Sequence, residues 1–79
     1  MATYKLDVKK RYGKFFYNLR QATEQGKESD PLDTLDAVLA SVEKDFTDRD
    51  IGPDDSVIFR GIAYSSYTQL KEVVRTSPF

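Results

Sequence analysis

Histidine, cysteine and tryptophan are missing from this 79-residue chain, and methionine occurs once. Without imidazole or thiol there is no side chain that titrates near neutrality, no thiolate nucleophile, no Ser-His-Asp triad and no zinc site of the usual ligand types. The same count excludes disulfides, and it fits the cytosol better than a disulfide-stapled secreted mini-protein. No apolar run approaches the ~18 residues of a membrane span. The opening MATYKLDVKK also lacks the apolar core of a signal peptide, so a cytoplasmic protein without membrane contact is expected. Internal repeats, low-complexity tracts and linkers are absent as well.

What is present describes an ordinary folding domain. With 39% hydrophobic and 32% charged residues the chain has the balance of a globular protein, and its length expects one domain over residues 1–79. Carboxylates, lysines and tyrosines remain for acid–base work, but that work needs a shaped pocket, and a domain this small has little interior for one. The expectation is therefore a non-catalytic protein with no cofactor and no metal. The loop DRDIGPDD contains calcium-ligand residue types, yet counted from Asp48 it puts Pro53 where the calcium loop needs glycine and Phe59 where it needs glutamate.

The hydrophobic pattern predicts an α+β fold. Residues 3–8 alternate Tyr4, Leu6 and Val8 with polar neighbours, the two-residue period of a half-buried strand. The next stretch, KKRYGKFFYNLR at residues 9–20, satisfies two periods at once. As a helix ending at Gln25 before Gly26, it lines up Val8, Tyr12, Phe15, Phe16, Leu19 and Thr23. As a strand, it alternates Phe15, Tyr17 and Leu19, with Tyr12–Gly13 closing a hairpin onto the first strand. The helix is preferred because the hairpin leaves a long polar connection after Arg20. A second helix is expected over residues 30–46, capped by Asp30 with Pro31 in its first turn and with Leu32, Leu35, Val38, Leu39, Val42 and Phe46 as its apolar stripe. Residues 56–64 read as one strand, bulged near Gly61. A last helix follows, with Ser66 and Gln69 at capping-box spacing and Pro78 beyond its end. The predicted order is β-α-α-β-α with a minimal sheet, and the alternative is β-β-α-β-α with an N-terminal hairpin.

Charge is distributed unevenly. Residues 1–27 carry a balance of +5, residues 28–55 one of −8, and residues 56–79 one of +2. The acidic segment supplies Asp33, Asp36 and Glu43 on the middle helix and Asp48, Asp50, Asp54 and Asp55 around the following loop. Such a surface suits docking on a basic patch of a larger protein or complex, including a patch that grips nucleic acid. Tyr17, off the apolar stripe in the helical reading, is the candidate aromatic anchor beside it. The competing use of these charges is internal, the basic and acidic segments neutralising each other.

The primary functional expectation is thus a small interaction module, an inhibitor or adaptor. In size and polarity it resembles phage-encoded inhibitors of host or defence complexes, in style and without a shared motif. The alternative is a nucleic-acid binder using Lys9, Lys10, Arg11, Lys14, Tyr17 and Arg20, with cations for phosphates and rings for bases. That segment resembles the Gly-, Phe- and Tyr-rich RNA-contacting strand of the RNA recognition motif, but it follows the first strand directly, whereas in that family a helix intervenes.

Overall fold

The computed structural model describes residues 2–79. The order is β1 (Thr3–Arg11), β2 (Lys14–Gln21), α1 (Leu35–Asp48), β3 (Ser56–Phe59), β4 (Ile62–Tyr64) and α2 (Tyr67–Thr76). The α+β class stands, in the hairpin version: residues 9–25 do not form the preferred helix, and the sheet has four strands in the order β2-β1-β3-β4. β1 pairs antiparallel with β2 and parallel with β3, which pairs antiparallel with β4.

Two-residue turns account for both hairpins. Tyr12–Gly13 and Arg60–Gly61 all take positive φ, which is the turn whose twist matches that of the flanking strands. Glycine is at ease there, whereas a non-glycine residue in this region costs about 1 kcal/mol or more. Arg60 has an evident return: its guanidinium lies 5.4 Å from the Phe59 ring centre and 4.9 Å from that of Phe79, and it donates to the Pro78 carbonyl at 2.9 Å. Tyr12 has none, since its side chain stands 99% exposed.

The first turn sets the register and so sorts the side chains. Leu6 opposes Leu19, Val8 opposes Tyr17 and Lys10 opposes Phe15. By strand alternation Tyr4, Leu6, Val8, Phe15, Tyr17 and Leu19 share the face that carries the helices, and Lys5, Asp7, Lys9, Arg11, Lys14, Phe16, Asn18 and Arg20 share the other. Tyr4, Leu6, Leu19, Val57 and Phe59 from the sheet then bury against Val38, Leu39, Val42, Leu70 and Val74 from the helices. Among the described residues the core holds no polar side chain.

The connection that made the hairpin look improbable is itself ordered. Phe15 and Leu32 exchange both backbone hydrogen bonds, at 2.8 and 2.9 Å, and Ser29 takes the Tyr17 N–H on its Oγ at 2.9 Å while donating its own N–H to the Tyr17 carbonyl at 2.7 Å. Residues 29–32 thereby cover the free edge of β2. This pairing delays the helix. Thr34, not Asp30, is the N-cap, accepting the Ala37 N–H at 3.1 Å, and Pro31 and Leu32 lie outside α1. At the other end Asp50 has φ 55° and Ile51 N–H reaches back to the Phe46 carbonyl at 2.9 Å, a left-handed stop that carries α1 to Asp48. The last helix forms as expected, with Ser66 Oγ accepting the Gln69 N–H at 3.2 Å. The expected strand over 56–64 divides into β3 and β4 because Arg60–Gly61 turns the chain.

Gly26 (φ +69°) folds the same connection against the outer side of β2. A Cβ there would meet Asn18 Oδ1 at 2.5 Å and Arg20 Cβ at 2.9 Å. Gly26→Ala is expected to destabilise the domain by about 2 kcal/mol, from backbone strain and overpacking together. Gly52→Ala, where nothing lies within 4 Å, is expected to change stability by less than about 0.5 kcal/mol. Urea midpoints measure both; equal midpoints for the two variants would contradict this placement of the connection.

Candidate functional site

The helices cover one face of the sheet and most of the basic side chains of β1 and β2 stand on the other, so the two charge blocks separate rather than merge. Among the described residues there are four ion pairs: Arg11–Glu28 and Lys14–Asp33 join the basic block to the acidic one, Arg49–Glu24 at 3.1 Å joins them with the signs reversed, and Arg20–Asp7 at 2.8 Å lies within the first block. In each pair at least one partner is well exposed, where such pairs add about 0–1 kcal/mol each. Of the acidic residues named from the sequence, only Asp33 is neutralised in this way among the described residues, and the Lys14 ammonium holds its carboxyl below the usual range.

Asp36, Glu43, Asp48, Asp50 and Asp54 are exposed and make no ion pair among the described residues. Three of them converge on one feature. Two adjoining depressions, about 460 and 260 Å³, run between α1, the loop at residues 50–53 and the start of α2, and share Glu43 and Tyr67. Asp36 and Glu43 border the smaller, and Glu43 and Asp50 border the larger. Phe46, Ile51, Pro53 and Tyr67 supply the apolar part of the larger wall. The Tyr67 ring packs edge-on against Phe46 at 5.4 Å, and its hydroxyl donates to the Leu39 carbonyl at 2.8 Å. Burial and the nearby Glu43 charge raise the Tyr67 pKa, so its phenol is a fixed neutral wall.

Asp55 and Tyr17 leave the candidate surface. Asp55 accepts the Ala2 N–H at 2.8 Å and the Gly52 N–H at 3.0 Å, tying the start of β1 to the loop before β3. Tyr17, expected as an exposed anchor, lies half-buried under α1 and donates its hydroxyl to Asp45 Oδ2 at 2.9 Å. Burial, that hydrogen bond and the Asp45 charge push its pKa up to about 12, against a small opposing effect of the Ser41 hydroxyl. Tyr12, expected in the core, is instead the exposed ring at the hairpin tip, and Phe16 lies on the outer face beneath the Arg11 guanidinium, 4.7 Å from its ring centre. Comparisons with protein-family models, with curated proteins and with solved structures gave no match.

Sequence reasoning missed Tyr67, Ile51 and Pro53 as groove residues, because they come from the flanks of two elements that pattern analysis treats separately. It missed Lys5 and Phe16 because only the strand register puts them beside Lys9 and Arg11. The spacing of Asp36, Glu43 and Asp50 by seven residues was the available signal for the acidic border.

Two outcomes check these assignments. Tyr17→Phe is expected to lower stability by about 1 kcal/mol through loss of the Asp45 hydrogen bond, and to leave partner binding within about twofold. Weakened binding at unchanged stability would restore Tyr17 as an anchor. The two backbone N–H groups hold the Asp55 carboxyl below its ordinary pKa. The stability it contributes is therefore present above about pH 4 and is lost as pH falls through its lower folded value. Glu24, held down by the Gln21 backbone and Arg49, and Asp33 act in the same direction. Urea midpoints measured across pH 2 to 6 should fall on acidification, with a shallower fall for Asp55→Asn; superimposable profiles would contradict the role given to Asp55.

Proposed function

We propose that this domain is a non-catalytic interaction module of the cytoplasm that seats a basic segment of a larger protein in the groove between α1 and the start of α2. The observation that carries the reading is the convergence of three carboxylates unpaired among the described residues, Asp36, Glu43 and Asp50, on a groove with an apolar wall of Phe46, Ile51, Pro53 and Tyr67. Carboxylates on the border give long-range attraction and orientation. The aromatic and aliphatic wall gives desolvated contact area, which unassisted surface charge does not.

Asp48 and Asp54 extend the negative field beyond the groove. A module of this kind acts by occupying its partner's basic patch, as an inhibitor where that patch grips nucleic acid or another protein, and as an adaptor where the patch is an assembly surface.

The test begins with affinity capture by the wild-type chain and by the Asp36→Lys, Glu43→Lys, Asp50→Lys variant. A captured partner should be lost by the variant, and its association rate with the wild type should fall at least about tenfold between low and high salt. A second variant, Lys9→Glu with Lys10→Glu, should retain the partner. Equal capture by the wild type and the acidic-border variant, or an association rate indifferent to salt, would overturn the proposal.

A further inference from the structure

Among the described residues three that are not glycine adopt positive φ, and two are explained by what they do. Asp50 stops α1, and Arg60 clamps Phe59 and Phe79 with its side chain. Tyr12 (φ 54°) closes the first hairpin with its ring 99% exposed, at a turn position where asparagine or aspartate is better suited. A strained backbone that carries an aromatic ring touching nothing is unexplained by folding, and such positions cluster at contact sites.

Its surroundings are basic. Lys9, Lys10, Arg11 and Lys14 flank the tip and are all exposed. Lys9 and Lys10 make no ion pair among the described residues. The Arg11–Glu28 and Lys14–Asp33 pairs are solvent-exposed, so a phosphate can compete with their carboxylates at little cost. The hairpin also outruns its neighbour: β3 pairs only with Thr3–Leu6, so the half of β1 from Asp7 to Arg11 has no second strand beside it. The tip is thus an arm whose β1 edge is open, while residues 29–32 cover its β2 edge.

We propose that this arm is a second binding surface, distinct from the acidic groove, and that it takes single-stranded nucleic acid. Phosphates track the open edge between Lys9 and Arg11 on the uncovered face and Lys10 on the helical face, and an unpaired base stacks on the Tyr12 ring. The free ring decides the class of ligand. An acidic peptide matches the cations and leaves the ring without a role, and a duplex keeps its bases stacked on one another.

The experiment is fluorescence anisotropy of the full chain with a labelled mixed-sequence oligodeoxynucleotide of about 20 residues. Binding is expected at about 50 mM salt, weaker by roughly tenfold or more at about 200 mM. Tyr12→Asn should weaken it roughly tenfold while raising the thermal midpoint, because asparagine tolerates the turn better. That opposite movement separates a lost contact from a lost fold. Lys9→Glu with Lys10→Glu should abolish binding, and Asp36→Lys, Glu43→Lys, Asp50→Lys should retain it, whatever becomes of the groove's own partner. The proposal is overturned by absence of wild-type binding at low salt, by undiminished binding of Tyr12→Asn, by tighter binding of the matching duplex, or by full displacement with a polyglutamate peptide at equal charge.

Discussion

Everything in this molecule depends on the register of β1 against β2, set by a turn of two residues. With Arg11 opposite Lys14, each inward position of one strand faces an inward position of the other, and Leu6, Val8, Tyr17 and Leu19 meet beneath the helices. A slip of one residue would send that set to solvent and bring Lys9, Asn18 and Arg20 inside. The turn is chemically unusual for such a duty, since Tyr12 accepts a strained conformation to hold it. The core, the edge pairing of residues 29–32 and the late start of α1 all follow from where that turn sits.

The same register answers how a chain with a nearly even charge total keeps two charged surfaces. Alternation puts Lys5, Lys9, Arg11, Lys14 and Arg20 on the uncovered face of the sheet, while α1 and the loop after it carry Asp36, Glu43, Asp48, Asp50 and Asp54 on the helical side. Among the described residues, ion pairs cross between them only at the margins, through Glu28 and Asp33. The sheet and its core act as a spacer of low polarity between surfaces of opposite sign. Internal neutralisation is therefore partial, and each surface is left able to attract a different partner.

Much of this was legible before the structure, and the failures are specific. The apolar stripe of α1 from Leu35 to Phe46 and the Ser66 cap of α2 follow local rules and stood. The helix expected over residues 9–25 failed because its apolar residues fit spacings of two and of three to four equally well. The deciding consideration, an overlong loop, assumed that residues 22–34 were unstructured; they pair along β2 through Ser29 and Leu32. Both hairpin turns pair glycine with a residue, tyrosine or arginine, that turn statistics do not favour, which hid the split between β3 and β4. The site suffered accordingly. The acidic border keeps its exposed positions, while Tyr12 and Tyr17 exchange environments, because a helix and a strand send them to opposite sides.

The most direct test is an NMR measurement of through-space contacts across residues 4–21. In an antiparallel pair closed by this turn, the widely spaced positions bring Hα atoms together. Strong Hα–Hα contacts are predicted between Lys10 and Phe15, Val8 and Tyr17, and Leu6 and Leu19. Sequential amide–amide contacts running through residues 9–25, with those cross-strand contacts absent, would show a helix in their place and contradict the account at its root.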